Sequence, residues 1–300
     1  AVAEALTNIV GAPIENGIKG ISLSANWMWP CKNQGEDAAL YRAVEACSDF
    51  ACALGINIPT GKDSLSMTQK YGDDKVFAPG TVIISAAGPV SDVRKTVSPV
   101  LQAKKSTLYY IDFSGDSLKL GGSAFAQSLN RLGAEAPTVN DAAQFVKTFN
   151  AVQKLVKDKA LLAAHDVSAG GLVTTLLEMT FGNTDGGINF STAGICAWGE
   201  DDLVKILFAE NPALVIQVAE NKVEKVEKML NAAGAKFCAI GEPSDERTLM
   251  IRHDGTEHML GVDYLRDVWF EPSYLLDCVQ SGDKCAAMRF ENYKKQPIRY

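Results

Sequence analysis

Apolar and polar positions along this 300-residue chain switch repeatedly between a helical period and a strand period, and the switches mark its elements. Residues 1–10 (AVAEALTNIV) are an Ala/Leu-rich run of strong helix formers. Residues 41–54 predict a second helix. Residues 80–87 (GTVIISAA) and 107–113 predict strands, and residues 124–132 follow as a helix. A short apolar run at 161–164 has strand length, and 172–181 (LVTTLLEMTF) reads as an amphipathic helix. Strands at 213–218 and 237–241 flank a Lys/Glu-rich helix at 222–233. Residues 251–260 (IRHDGTEHML) read as a polar strand-turn-strand edge. The alternation predicts an α/β fold with mixed sheets.

A polar, Pro-containing crossing (Ser98-Pro99, then Lys104-Lys105-Ser106) divides the pattern. The expected units are a lobe at 1–104, an α/β lobe at 105–268, and a connector at 269–300. The chain lacks an initiator Met and opens inside an apolar helix without an N-cap, which points to a piece of a longer protein. A hydrophobic fraction of 47% is that of a globular protein. No apolar run approaches the roughly 20 residues that span a bilayer, and no signal peptide is visible. No membrane role is therefore expected. A net charge of −7 argues against a nucleic-acid partner, whose footprint is basic. The seven cysteines are scattered and include no CxxC pair, the pattern of reduced thiols in a cytoplasmic protein. Cys47 and Cys52 sit in a helical stretch where packing is the expected role, and His253 and His258 read as surface residues.

The most informative stretch is His165-Asp166-Val167-Ser168-Ala169-Gly170-Gly171-Leu172. A strand that ends in Asp-x-Ser and two glycines before a helix suits a metal and a phosphate. The Asp supplies a hard oxygen, and the glycines let backbone approach an anion. The same residues also serve as ordinary helix caps. Glu4 and Asn8 stand one turn apart on a single helix face. With Asp166 they make an all-oxygen set suited to magnesium and nucleotide phosphates, unless they are merely the solvated side of a helix. Two loops carry further polar combinations. Lys62, Asp63 and Ser64 follow Gly61 in an expected tight turn that suits a phosphate or ribose, or is simply solvated. Gly121, Gly122 and Ser123 open a helix and suit an anion, or serve close helix–sheet packing.

The segments AVAEALTNIVGAPI, ISLSANWMWP, GEDAALYRAVEACSDFACALGINIPTGKDSLSM and AAHDVSAGGLVTTLLEMTFG resemble phosphoribosylformylglycinamidine synthase, also called FGAR amidotransferase, in its large single-chain form. The likeness runs in order from residue 1 to about residue 290. It implies an aminoimidazole ribonucleotide synthetase-like fold, here the second half of the synthetase region with the remainder of its N-terminal lobe. It implies ATP-dependent conversion of formylglycinamide ribonucleotide to the amidine, with glutamine as nitrogen donor, in purine biosynthesis. The first synthetase half and the glutaminase of the same polypeptide would be the partners. By this resemblance Glu4, Asn8 and Asp166 are Mg2+ ligands and Ser168 contacts ATP or ADP at an auxiliary site. A further Asp ligand of the family pattern lies upstream of residue 1. Position 169 is Ala where an acidic residue often stands in relatives. The family's catalytic His belongs to the first half, so no catalytic residue is expected here, and His165 is expected to orient the Asp166 loop or to pack beneath it. The segment alone is expected to be inactive and to self-associate. Two other readings fit the same residues: a structural half-domain with a vestigial nucleotide site, or another ATP-using synthetase of the superfamily.

Overall fold

The computed structural model describes residues 1–295. Its first part comprises α1 (Val2–Ile9), β1 (Ser22–Met28), α2 (Glu36–Leu54), β2 (Asn57–Ser64), β3 (Thr68–Tyr71), β4 (Asp74–Phe77) and β5 (Thr81–Ala87). β1 runs parallel to β2 and antiparallel to β5, giving a three-stranded sheet in the order β2-β1-β5. β3 and β4 pair separately as a hairpin.

The second part runs through β6 (Ser106–Asp112), α3 (Ala124–Ser128), α4 (Ala142–Lys157), β7 (Ala163–Val167), α5 (Gly171–Phe181), β8 (Gly187–Ser191), α6 (Ala193–Cys196) and α7 (Leu203–Phe208). It continues with β9 (Ala213–Ala219), α8 (Val223–Ala232), β10 (Lys236–Ser244), β11 (Thr248–His253) and β12 (Thr256–Gly261). These strands form a seven-stranded mixed sheet in the order β12-β11-β8-β10-β6-β9-β7. Helices α9 (Val262–Ser281) and α10 (Asp283–Tyr293) follow.

The period-two alternation of the central strands divides the interior into two cores. Tyr109, Ile111, Leu214, Ile216 and Val218 face the core that also holds α1 and α4. Leu108, Tyr110, Ala213 and Val215 face the core under α5 and α7. On α4, Phe145, Phe149, Val152 and Val156 recur at helical spacing, and all four are buried in the first core. Asp141 caps that helix by accepting from the Gln144 amide. α1 buries Val2, Ala3, Leu6 and Thr7, which leaves Glu4 and Asn8 on its open face.

Several local expectations are corrected. Gly61 to Ser64 form no tight turn: they continue β2 against β1, where Gly61 lies so close to Ala25 that a Cβ would meet its carbonyl oxygen at 2.2 Å. The helix expected to reach residue 132 stops at Ser128, and Asn130 adopts positive φ just beyond it. The strand expected at 161–164 begins at Ala163 and extends to Val167, so His165 and Asp166 are strand residues. The segment from Trp269, expected to be a connector, is helical. α9 and α10 fold back on each other with Phe270 stacked on Tyr293 at 4.0 Å and Tyr274 against Phe290 at 4.7 Å. The last residues of that expected connector, 296–300, lie outside the described residues. The 251–260 segment is the expected hairpin, turning at Asp254 and Gly255, both with positive φ.

Candidate functional site

α1 packs over β5 and against the end of β7, and this brings Glu4, Asn8, Asp166 and Ser168 around one cavity of about 530 Å³. Val82 to Ala86 of β5 also line it. Asp166 is only 6% exposed. Its carboxylate Oδ1 accepts from the Asn8 amide at 3.4 Å and faces His165 Nδ1 at the same distance. Its backbone carbonyl accepts from the Thr175 hydroxyl at 3.0 Å, which ties the strand end to α5. Glu4 stands one turn before Asn8 on the same face.

His165 lies between two carboxylates. Nδ1 is 2.8 Å from the Asp166 carbonyl oxygen, and Nε2 is 3.3 Å from Glu178 Oε2. Burial alone depresses the imidazolium, but hydrogen bonds to Asp166 and Glu178 outweigh it and lift the pKa to about 9. The ring is held beneath the Asp166 turn by oxygen partners at both of its nitrogens.

The two glycines act differently from the sequence expectation of an anion cradle. Gly170 and Gly171 have φ of +90° and +74°, and a Cβ on Gly171 would meet the Leu207 carbonyl oxygen and Phe208 backbone at 2.7 Å. The Gly170 amide donates to Glu210 Oε1 at 2.8 Å, and the Gly171 amide donates to the Ser168 carbonyl at 3.0 Å. The same Glu210 oxygen accepts from the Ala124 amide at 2.8 Å. A carboxylate of the chain itself thus occupies the mouth of α5.

The other loops are not brought to the cavity. Lys62, Asp63 and Ser64 lie on β2, across β1 from β5, with the Lys62 ammonium bonded to the Ser64 hydroxyl. The amides of Gly121 and Gly122 are taken by the carbonyls of Glu135 and Leu132, at 2.9 and 2.7 Å. Ser123 caps α3 by accepting from the Ala126 amide. Cys47 packs at the margin of the first core, whereas Cys52 is exposed because it falls on the outer face of α2. His253 is half-buried and bonded to the Thr192 hydroxyl at 2.9 Å, beside a separate cavity of about 500 Å³, and His258 is exposed.

Among the described residues no group of three or more His, Cys, Asp and Glu side chains is placed to hold a metal. The cavity instead offers two carboxylates and one amide. Those donors match a hard cation in kind, once the Asn8 amide turns its oxygen inward. Glu178, Glu210 and Trp269, which shape this region, escaped the reading of the sequence. Glu178 had a signal: it is the lone charge in an otherwise uncharged helix.

Family models match in the order of the fold. One described as "FGAR-AT PurM_N-like domain" covers residues 1–89, and one described as "AIR synthase related protein, C-terminal domain" covers residues 113–254. The human phosphoribosylformylglycinamidine synthase is 38% identical over 301 residues, covering 96% of this chain and 21% of that protein. The probable chloroplastic/mitochondrial phosphoribosylformylglycinamidine synthase of Arabidopsis thaliana is 35% identical, covering 98% of this chain and 21% of its own length. The chain therefore spans about one fifth of these relatives. Among solved structures, T. maritima PurL complexed with FGAR aligns with a TM-score of 0.65 at 13% identity, over 88% of this chain and 42% of that one. The same protein complexed with ATP aligns at 0.61 and 13% identity, over 88% and 39%. That likeness establishes the fold, while the curated relatives carry the kinship in sequence. Over nearly all of its length the chain is thus homologous to one segment of these phosphoribosylformylglycinamidine synthases, and it matches the models of an FGAR-AT PurM_N-like domain and of an AIR synthase related C-terminal domain.

Proposed function

We propose that this chain supplies an auxiliary nucleotide and magnesium site to an ATP-dependent phosphoribosylformylglycinamidine synthase and has no synthetase activity alone. The observation that carries this reading is the convergence of Glu4, Asn8, Asp166 and Ser168 on one cavity, from α1 and from the far end of β7. Glu4, Asn8 and Asp166 would hold the cation through oxygen, and Ser168 would donate its hydroxyl to a phosphate oxygen. A bound magnesium supplies charge neutralisation and positioning of phosphates. His165 keeps Asp166 facing the cavity, and Val82 to Ala86 of β5 complete its lining beside α1. The neighbouring PurL structures with ATP, AMPPCP and ADP support a nucleotide as the ligand class.

In the longer protein, the reaction would be conversion of formylglycinamide ribonucleotide to its amidine, with the remaining synthetase half and the glutaminase in the same polypeptide. Residues 1–104 and 105–268 would be the two lobes of the second synthetase half. Exposed Tyr71, Val76, Phe77 and Ile83 on the first lobe support its pairing with another part of that polypeptide, and self-association when it is alone. No helix among the described residues is long and apolar enough to cross a membrane, and a cytoplasmic location fits the scattered free cysteines.

Calorimetric titration with ADP and magnesium tests the site. Saturable, magnesium-dependent binding that Asp166→Ala abolishes is the expected result. Unchanged binding by that variant would remove Asp166 from the site. Magnesium-independent binding would leave a nucleotide pocket without its cation.

A further inference from the structure

α5 carries a single charged residue, Glu178, on a helix whose other positions are apolar, Thr or Gly. Its two carboxylate oxygens are divided between partners on opposite sides. Oε2 lies 3.3 Å from His165 Nε2, and Oε1 accepts from the Trp269 indole at 3.1 Å. The imidazole then reaches Asp166 through Nδ1, at 2.8 Å from its carbonyl oxygen and 3.4 Å from its carboxylate. Trp269 is in turn seated on Phe181, with ring centroids 5.8 Å apart, and on Phe270 at 4.7 Å.

We propose that Glu178 is a positioning residue for Asp166, acting through His165, and that Trp269 of α9 fixes Glu178. This inference rests on the reading of Asp166 as a ligand-binding carboxylate. A planar ring gripped at both nitrogens cannot rotate without losing one partner, so Glu178 sets the ring plane and the ring sets the turn that carries Asp166. The indole donor removes the rotational freedom that a half-exposed Glu would otherwise keep. The tail helix is thereby part of the support of the cavity, although it does not line it.

The test uses the full chain, with ADP and magnesium as the probe, in wild type, Asp166→Ala, Glu178→Ala, Trp269→Phe and the double variant Glu178→Ala/Trp269→Phe. Trp269→Phe keeps an aromatic ring against Phe181 and removes only the N–H donor. Glu178→Ala should weaken ADP binding about five- to tenfold, the loss associated with one hydrogen bond. Trp269→Phe should weaken it less, and the double variant should bind like Glu178→Ala, because Trp269 acts only through Glu178. Thermal midpoints of Trp269→Phe and wild type should coincide, which a merely structural role would not produce. Additive effects, or Glu178→Ala binding as wild type while Asp166→Ala fails, would overturn the proposal and leave the site reading standing. Absence of binding by the wild-type chain would overturn both.

Discussion

Gln153 offers the sharpest test of how the chain holds its candidate site together. It is 2% exposed on α4, and its amide is fully used by the segment that follows α1. Oε1 accepts from the Ile14 amide at 2.8 Å, and Nε2 donates to the Val10 and Ala12 carbonyls at 2.7 and 2.9 Å. One side chain therefore anchors the exit of the helix that presents Glu4 and Asn8. Gln153→Leu keeps the volume and removes all three bonds. Each buried group left without a partner costs about 1–3 kcal/mol, and leucine recovers a part through apolar burial, so the expected loss is about 3–5 kcal/mol. That is a large share of the roughly 5–15 kcal/mol that keeps a domain folded. Urea denaturation followed by circular dichroism measures it, and hydrogen exchange of α1 amides shows whether the loss is local or global. ADP binding should weaken together with α1 protection. A loss below about 1 kcal/mol, with α1 exchange unchanged, would refute the claim that this amide anchors the helix.

Gly171→Ala should destabilise the chain by about 2 kcal/mol or more, because its φ is +74° and a Cβ would strike the α7 backbone at 2.7 Å; thermal denaturation measures this. Glu210→Ala should leave the Gly170 and Ala124 amides without their shared acceptor and accelerate hydrogen exchange at both, whereas unchanged exchange would show that the carboxylate does not protect these amides. Cys238 should resist alkylation at pH 8, since burial pushes its pKa up to about 12 and the thiol stays protonated there, while exposed Cys52 and Cys285 are modified; peptide mass mapping after a short iodoacetamide pulse distinguishes them.

The central strands and α5 were legible because each buries a surface with a fixed period, and that period is written locally. β6 and β9 read as strands because both of their faces are buried, which fills every position with apolar or satisfied polar side chains. β2 was misread over Gly61 to Ser64, where the residues are polar and largely exposed; its extended form comes from hydrogen bonding to β1 and leaves little trace in hydrophobicity. The helices of the tail left no clear pattern for a related reason. Pro272 sits inside α9, and the aromatic pairs that hold α9 to α10 are separated by 16 to 23 residues. The glycines after Ser168 suggested an open anion cradle, but Glu210, forty residues further on, already fills the Gly170 amide.

Ligand chemistry was present in the sequence as residue types: two carboxylates, an amide and a hydroxyl at spacings that suit a helix face and a strand end. The helix itself placed Glu4 beside Asn8, because four residues make about one turn. No local rule could bring Asn8 to Asp166, which lies 158 residues away, or Trp269 to Glu178, 91 residues away. Those meetings depend on α1 burying its apolar face against β5 and β7, and on α9 packing against α5. A hydrophobic face states that a helix will be buried, but it does not name the surface that buries it. That choice is made by the sum of contacts over the whole chain, and with it the cavity.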